Sequence, residues 1–271
     1  MRSTQYRGRL LITDMDAILS IVSPGLLLVA CGAAFLAGVI KGSVGFGMPT
    51  ILISSLGTFL HPEIALAGLI LPTVASNGMQ VFRYGLREAW DTIVRFRAFL
   101  ATGAITLLMT AQIVPYVPAR ALVFAIGLVV TIFAVWQITG RGARPGSIAQ
   151  SPARDSAIGG VVGAIGGASG VWGPPTVIYL TALGTEKRLQ MRAQGIIYGM
   201  GAALLVFAHF GSGVLNGATA QFSAALIPPA AAGMWIGGQI SDRLDHEAFR
   251  RLTLIVLILG GLNLLRRGIF G

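Results

Sequence analysis

Cysteine is almost absent: Cys31 stands alone in 271 residues. No internal disulfide can form, and the compartment is not readable from thiols. Charge is scarce as well. Asp, Glu, Lys and Arg make up 11% of the chain, against about 25% in an average soluble domain. The three histidines, His61, His209 and His246, are far apart and lack metal-ligand spacing. All ten acids fall in tails, gaps or span edges. No buried carboxylate is therefore placed to carry a proton or hold sodium. No glycine-rich nucleotide loop is present, which excludes ATP hydrolysis on this chain. Nothing points to an enzyme, a metal or a cofactor.

What the chain has is apolar length. Hydrophobic residues make up 54% of it. A soluble fold of this size cannot hide so much apolar surface. The composition predicts an all-α, multi-pass integral membrane protein. The formal net charge is +10. All but two of the cations are arginine, and they cluster in short gaps between apolar runs. That is loop marking by the positive-inside rule, not a nucleic-acid face. The first apolar run does not read as a cleaved leader, because Asp14 and Asp16 precede it and no small-residue cleavage site follows.

The first apolar stretch, 24–60, is broken by Lys41-Gly42-Ser43-Val44-Gly45-Phe46-Gly47-Met48-Pro49. Three glycines and a proline within eight positions make a helix costly there. The flanks, 24–40 and 48–60, are each short for a crossing of about 20 residues. Ordinary runs follow at 64–82, 98–114 and 121–138. After a polar linker the plan returns. A short piece at 157–166 meets Gly167-Ala168-Ser169-Gly170-Val171-Trp172-Gly173-Pro174-Pro175, and a second piece spans 176–183. Runs at 193–210, 220–240 and 252–265 complete it. A shift of 126 positions lays Ser43 on Ser169, Phe46 on Trp172, Gly47 on Gly173, Pro49 on Pro175 and Thr50 on Thr176. The chain is read as one transporter domain over 1–271 with an internal duplication: repeat 1 over 24–139, a linker at 140–156, and repeat 2 over 157–267.

Loop charge sets topology. Four gaps are basic: Arg83, Arg87, Arg95 and Arg97; Arg141, Arg144 and Arg154; Lys187, Arg188 and Arg192; Arg243, Arg250 and Arg251. Placing all four inside puts 13 cations there and six outside. This works only if each broken stretch returns to its own side, as a re-entrant hairpin or as two thin crossings. Each half then holds a broken helix pair plus three transmembrane helices, the halves are inverted, and both chain ends face outward. The cost is a basic tail, Arg2, Arg7 and Arg9, on the wrong side. Counting each broken stretch as one crossing gives instead a parallel repeat, with Lys187, Arg188 and Arg192 outside. The inverted reading is preferred.

The two breaks are the candidate site. Irregular backbone at membrane depth lines a cavity or is buried in protein. A half-helix starting there offers unpaired N–H groups and the positive end of its dipole. Two such ends make an anion site. Gly45, Phe46, Gly47, Trp172 and Gly173 contribute backbone or shape, and Ser43, Thr50, Ser169 and Thr176 contribute hydroxyls. Lys41 is the only charge inside an apolar run and would select an anion. Close helix packing is the competing role for the glycines, and snorkelling the competing role for Lys41. A secondary polar set is Ser76, Asn77 and Gln80 with Gln194 and Tyr198, which could equally serve helix–helix hydrogen bonding. Trp90, Trp136, Tyr84 and Tyr116 read as interface anchors.

The run Ala37-Gly38-Val39-Ile40-Lys41-Gly42-Ser43-Val44-Gly45-Phe46-Gly47 with Pro49 resembles the opening motif of the TauE/SafE sulfite-exporter family. The 159–175 stretch resembles its second-half counterpart. Met48 stands where a glycine often follows, and Trp172 where a phenylalanine-like residue does. The resemblance implies a permease of the bacterial-type inner membrane for a small sulfur-containing anion: sulfite, thiosulfate, sulfate or an organosulfonate. Export of a monovalent anion is favoured by about 2.3 kcal/mol at 100 mV, inside negative, so no coupling ion is required. Partners are that anion and the lipid bilayer, with no nucleic acid; a homodimer stays open. The alternatives are an anion channel, or a membrane sulfur-relay or enzyme partner using Cys31.

Overall fold

The computed structural model describes residues 18–83, 85–112, 119–139, 146, 148–169, 172–209 and 216–270. Tyr84 and Tyr116 lie outside these residues, and so do the side chains of Ser169 and His209. The regular elements described are all helices. The first succession is α1 (Pro24–Val44), α2 (Met48–Leu56), α3 (Pro62–Phe82), α4 (Leu86–Arg95), α5 (Arg97–Ala111) and α6 (Ala119–Ile138). The second is α7 (Pro152–Ser169), α8 (Gly173–Ala182), α9 (Lys187–His209), α10 (Gly217–Ala225), α11 (Ile227–Arg243) and α12 (His246–Phe270). Both run long, short, long, short, long, long. Among the described residues, α1, α3 and α12 are each long and apolar enough to cross a bilayer alone, and α4 with α5 pass that test together across a 73° bend.

Three expectations are corrected. The first break is only Gly45-Phe46-Gly47, because α1 runs on through Lys41 to Val44 and is 21 residues long. Gly42 survives inside that helix because its bare Cα is needed: a Cβ there would lie 2.2 Å from the Met234 carbonyl oxygen. Second, α7 begins at Pro152, inside the stretch read as linker, since Pro suits a first helical turn. Third, each half carries a further short helix. Residues 86–95 form α4, whose Leu86, Trp90 and Val94 are exposed at one-turn spacing beside charged neighbours. Such a helix suits the membrane interface and escapes a search for apolar runs. The 220–240 run divides at Leu226, where Pro228 and Pro229 start α11.

The halves pack reciprocally. Helix α1 lies along α11 and α5 along α7, so the first helix of each half meets the fifth of the other; α3 meets α9 and α6 meets α12. Small residues make these approaches close. Gly38 and Gly42 face Gly233 and Gly237, where a Cβ on Gly237 would stand 2.0 Å from the Val39 carbonyl oxygen. Pro72 interrupts the ladder of α3, leaving the Gly68 carbonyl free. Ser223 Oγ of α10 donates to it at 3.4 Å and accepts from Leu71 N–H at 3.1 Å. This is how a proline is tolerated in a membrane helix.

The four basic gaps meet at one end of the bundle. Arg83 pairs with Asp242 at 2.6 Å. Lys187 Nζ donates to the Ser241 and Leu244 carbonyls at 2.6 and 2.7 Å. Arg192 donates to Thr92 at 2.6 Å, and Arg95 to Gln150 at 2.9 Å.

Candidate functional site

The two breaks face one cavity of about 300 Å³. Gly45 and Gly47 hold φ of +90° and +95°, a left-handed backbone open to glycine at little cost, and so turn the chain from α1 into α2 within three residues. Gly47, Pro49 and Thr50 of the first break, and Trp172, Gly173 and Pro174 of the second, line the cavity. No side chain caps the first turn of α2 or of α8. Both helix ends therefore present the positive side of their dipoles. They differ in donors. Pro174 and Pro175 carry no N–H, and Thr176 N–H is committed to Trp172 O at 3.3 Å. Residues 173–176 thus hold at most one free N–H, whereas in the first turn of α2 Pro49 has none, Ile51 N–H goes to Gly47 O at 3.0 Å, and those of Met48 and Thr50 remain.

The cavity's strongest feature is Lys41. It is 1% exposed, and its Nζ donates to Asn77 Oδ1. No carboxylate lines the cavity among the described residues. With Oδ1 engaged, Asn77 Nδ2 is left buried without a partner, and so is Thr73 Oγ1 one turn earlier on α3. Both residues line the same cavity. A buried unpaired polar group costs about 1–3 kcal/mol and a buried charge more. One buried cation and two unpartnered polar groups are thus carried by residues that line one cavity.

Phe46 and Tyr198 complete this wall. Tyr198 OH donates to the Gly173 carbonyl at 3.0 Å, which ties α9 to the second break. Trp172 lines the cavity and is seated on glycine: a Cβ on Gly201 would come within 2.9 Å of its indole. Apolar lining comes from Ile51 of α2 and Val256, Leu257 and Leu264 of α12.

Among the described side chains, the structure places Ser43, Ser76, Gln80, Thr176 and Gln194 off the cavity. Ser43 Oγ donates back to Val39 O at 2.8 Å, and Thr176 Oγ1 to Trp172 O at 2.8 Å. Ser76 Oγ donates to Thr73 O at 3.0 Å and to Met48 Sδ at 3.3 Å. Gln80 Nε2 donates to Gly45 O at 3.0 Å and Met191 O at 2.6 Å. Gln194, with its amide nitrogen toward the break, donates to Val44 O and Gly45 O at 3.1 and 3.2 Å. The two glutamines thus satisfy the carbonyls where α1 ends. Four polar lining residues are not among the sequence candidates: Ser54, Ser55, Thr73 and Asn263. Thr73 precedes Ser76 and Asn77 by three and four positions, so the helical stripe extends one turn further than it was read.

Comparison with curated proteins and with solved structures gives no match. Comparison with protein families matches Sulfite exporter TauE/SafE over residues 30–264. That interval runs from α1 to α12 and contains both breaks and every residue lining the cavity. The chain is a multi-pass membrane protein that belongs to the TauE/SafE sulfite exporter family.

Proposed function

We propose that the protein exports a small sulfur-containing oxyanion or organosulfonate across the bacterial-type inner membrane by alternating access. The observation that carries this reading is the Lys41, Asn77 and Thr73 group: one buried cation and two unpartnered polar groups on one cavity wall. The first turn of α2 adds N–H donors and dipole to the same space. At roughly 30 Å³ per water, the cavity holds about ten water volumes, room for such an anion with part of its hydration.

An inverted repeat accounts for the architecture. The reciprocal pairing of α1 with α11 and of α5 with α7 is what a two-fold relation between the halves produces. The meeting of all four basic gaps at one end favours it over the parallel repeat, which separates Lys187 and Arg192 from the other three. Gln80 and Gln194 bond across the carbonyls where α1 ends, and the Arg83–Asp242 pair ties the basic end itself. A barrier on one side of a binding cavity supports a carrier over an open channel. Cys31 does not line the cavity, which weighs against a sulfur relay.

The test is a thermal-shift and titration panel on purified protein with sulfite, thiosulfate, sulfate, sulfoacetate and taurine. A ligand selective for the native state raises apparent stability with concentration. Stabilisation by at least one of these anions, lost in Lys41→Met, is the expected result. A flat panel would remove the reading.

A further inference from the structure

The cavity has a second polar end. Helix α12 starts at His246, beside the meeting point of the basic gaps, and runs away from it. Asn263 lies 17 residues along, about 25 Å at 1.5 Å per residue. There Asn263 lines the cavity together with Ser54 and Ser55 of α2. Burial falls along the cavity in this direction: Lys41, Asn77 and Tyr198 are buried, while Ser54, Ser55 and Asn263 are only partly so. This end is the mouth.

The mouth is wired as a set of donors. Arg266, exposed one turn further along α12, donates to Asn263 Oδ1 at 3.3 Å. Asn263 Nδ2 donates to Ser54 Oγ at 2.8 Å. With one bond from Arg266 on its oxygen and one hydrogen given to Ser54, Asn263 keeps its second amide hydrogen to offer the cavity. With its oxygen accepting from Asn263, Ser54 keeps a hydroxyl hydrogen to give. Among the described residues Arg266 has no carboxylate partner. Ile51, Val256, Leu257 and Leu264 give the same cavity an apolar lining. Arg266 is also one of the few cations on the side away from the basic gaps, where the positive-inside rule disfavours it.

We infer that Ser54, Asn263 and Arg266 form a second, outer station for a small oxyanion at the mouth of the cavity, distinct from the buried station at Lys41. The inference rests on the permease reading and adds a path to it. An anion passes between an exposed, screened guanidinium and a buried ammonium through one cavity. The two stations differ in their response to salt, because exposed charges are screened and buried ones much less so.

The experiment measures initial rates of sulfite movement into proteoliposomes holding the full chain, at subsaturating sulfite, over a range of an impermeant salt. Arg266→Gln is expected to lower the rate about fivefold at low ionic strength and to match the native protein near 1 M salt, where the Debye length is about 3 Å. Arg266→Lys keeps the native salt slope. Asn263→Leu lowers the rate without changing that slope. Lys41→Met loses transport at every salt concentration. An Arg266→Gln rate equal to native at low salt, or reduced by the same factor throughout, overturns the outer station; the second result marks a packing role. Native transport no greater than that of Lys41→Met would instead remove the permease reading on which the station rests.

Discussion

Replacing Lys41 by methionine removes a single ammonium and keeps most of the stem's volume. In the native chain Lys41 is 1% exposed and its ammonium is hydrogen-bonded to Asn77 Oδ1, with no carboxylate lining the cavity among the described residues. Two effects follow, of opposite sign. The empty protein loses an uncompensated buried charge, so its stability should hold or rise. The anion loses its one charged donor. Hydrogen bonds to charged groups contribute about 1.5–3 kcal/mol, and each 1.4 kcal/mol is roughly tenfold in affinity. Sulfite affinity should therefore fall on the order of ten- to a hundredfold. The Asn77 amide, freed of its partner, cannot replace the charge. Titration calorimetry in detergent gives the affinity, and ligand-free thermal unfolding of the same sample gives the stability. Weaker binding together with an unchanged or higher Tm is expected. Native affinity with a lowered Tm would refute the reasoning, because Lys41 would then be a structural tie between α1 and α3.

Asn77→Asp places a carboxylate against Lys41; it should abolish anion binding in the same titration and leave the helical circular-dichroism signal intact. Thr73→Val removes one unpartnered hydroxyl and should weaken binding severalfold, consistent with about 1 kcal/mol per neutral hydrogen bond. Ser43→Ala should bind normally, because that hydroxyl is spent on Val39 O within its own helix. Gly237→Ala sets a Cβ 2.0 Å from the Val39 carbonyl oxygen; separation of α1 from α11 should cost about 1–3 kcal/mol, read as a lowered Tm. For topology, cysteines at Ser147 and Ser3 in a Cys31→Ser background should label from opposite membrane faces; labelling of both from one face would sink the inverted arrangement.

Much of the architecture was legible because membrane physics writes it into composition. Apolar runs of span length cannot be placed elsewhere, and arginine-filled gaps mark a side. Gly45, Gly47 and Pro49 announced a break by residue type alone, since few other residues suit a left-handed turn followed by a first-turn proline. Helix α4 was hidden for the converse reason. Its polar and apolar residues alternate around one turn, so no apolar run betrays it. The division at Leu226 was hidden because Ala220 to Ile240 reads as continuous apolar sequence, although Pro228 and Pro229 stood in view.

For the site, the sequence by itself determined which groups could matter: a lone intramembrane lysine, two glycine-proline breaks and a polar stripe on the following helix. It could not determine which of them face the same space. Ser43, Ser76 and Gln80 carry the same hydroxyl and amide groups as Thr73 and Asn77, yet the Ser43 hydroxyl is consumed by Val39 O, that of Ser76 by Met48 and Thr73, and the Gln80 amide nitrogen by Gly45 and Met191. Thr73 Oγ1, Asn77 Nδ2 and Gln80 Oε1 are left over, and of these residues Thr73 and Asn77 line the cavity. Ser43 is spent within its own helix, but for Asn77 and Gln80 the outcome depends on partners 35 to 111 positions away, brought in by the packing of α1, α3 and α9. Only the tertiary structure settles that account, because hydrogen bonding is directional and short-ranged while the chain order that carries the residues is not.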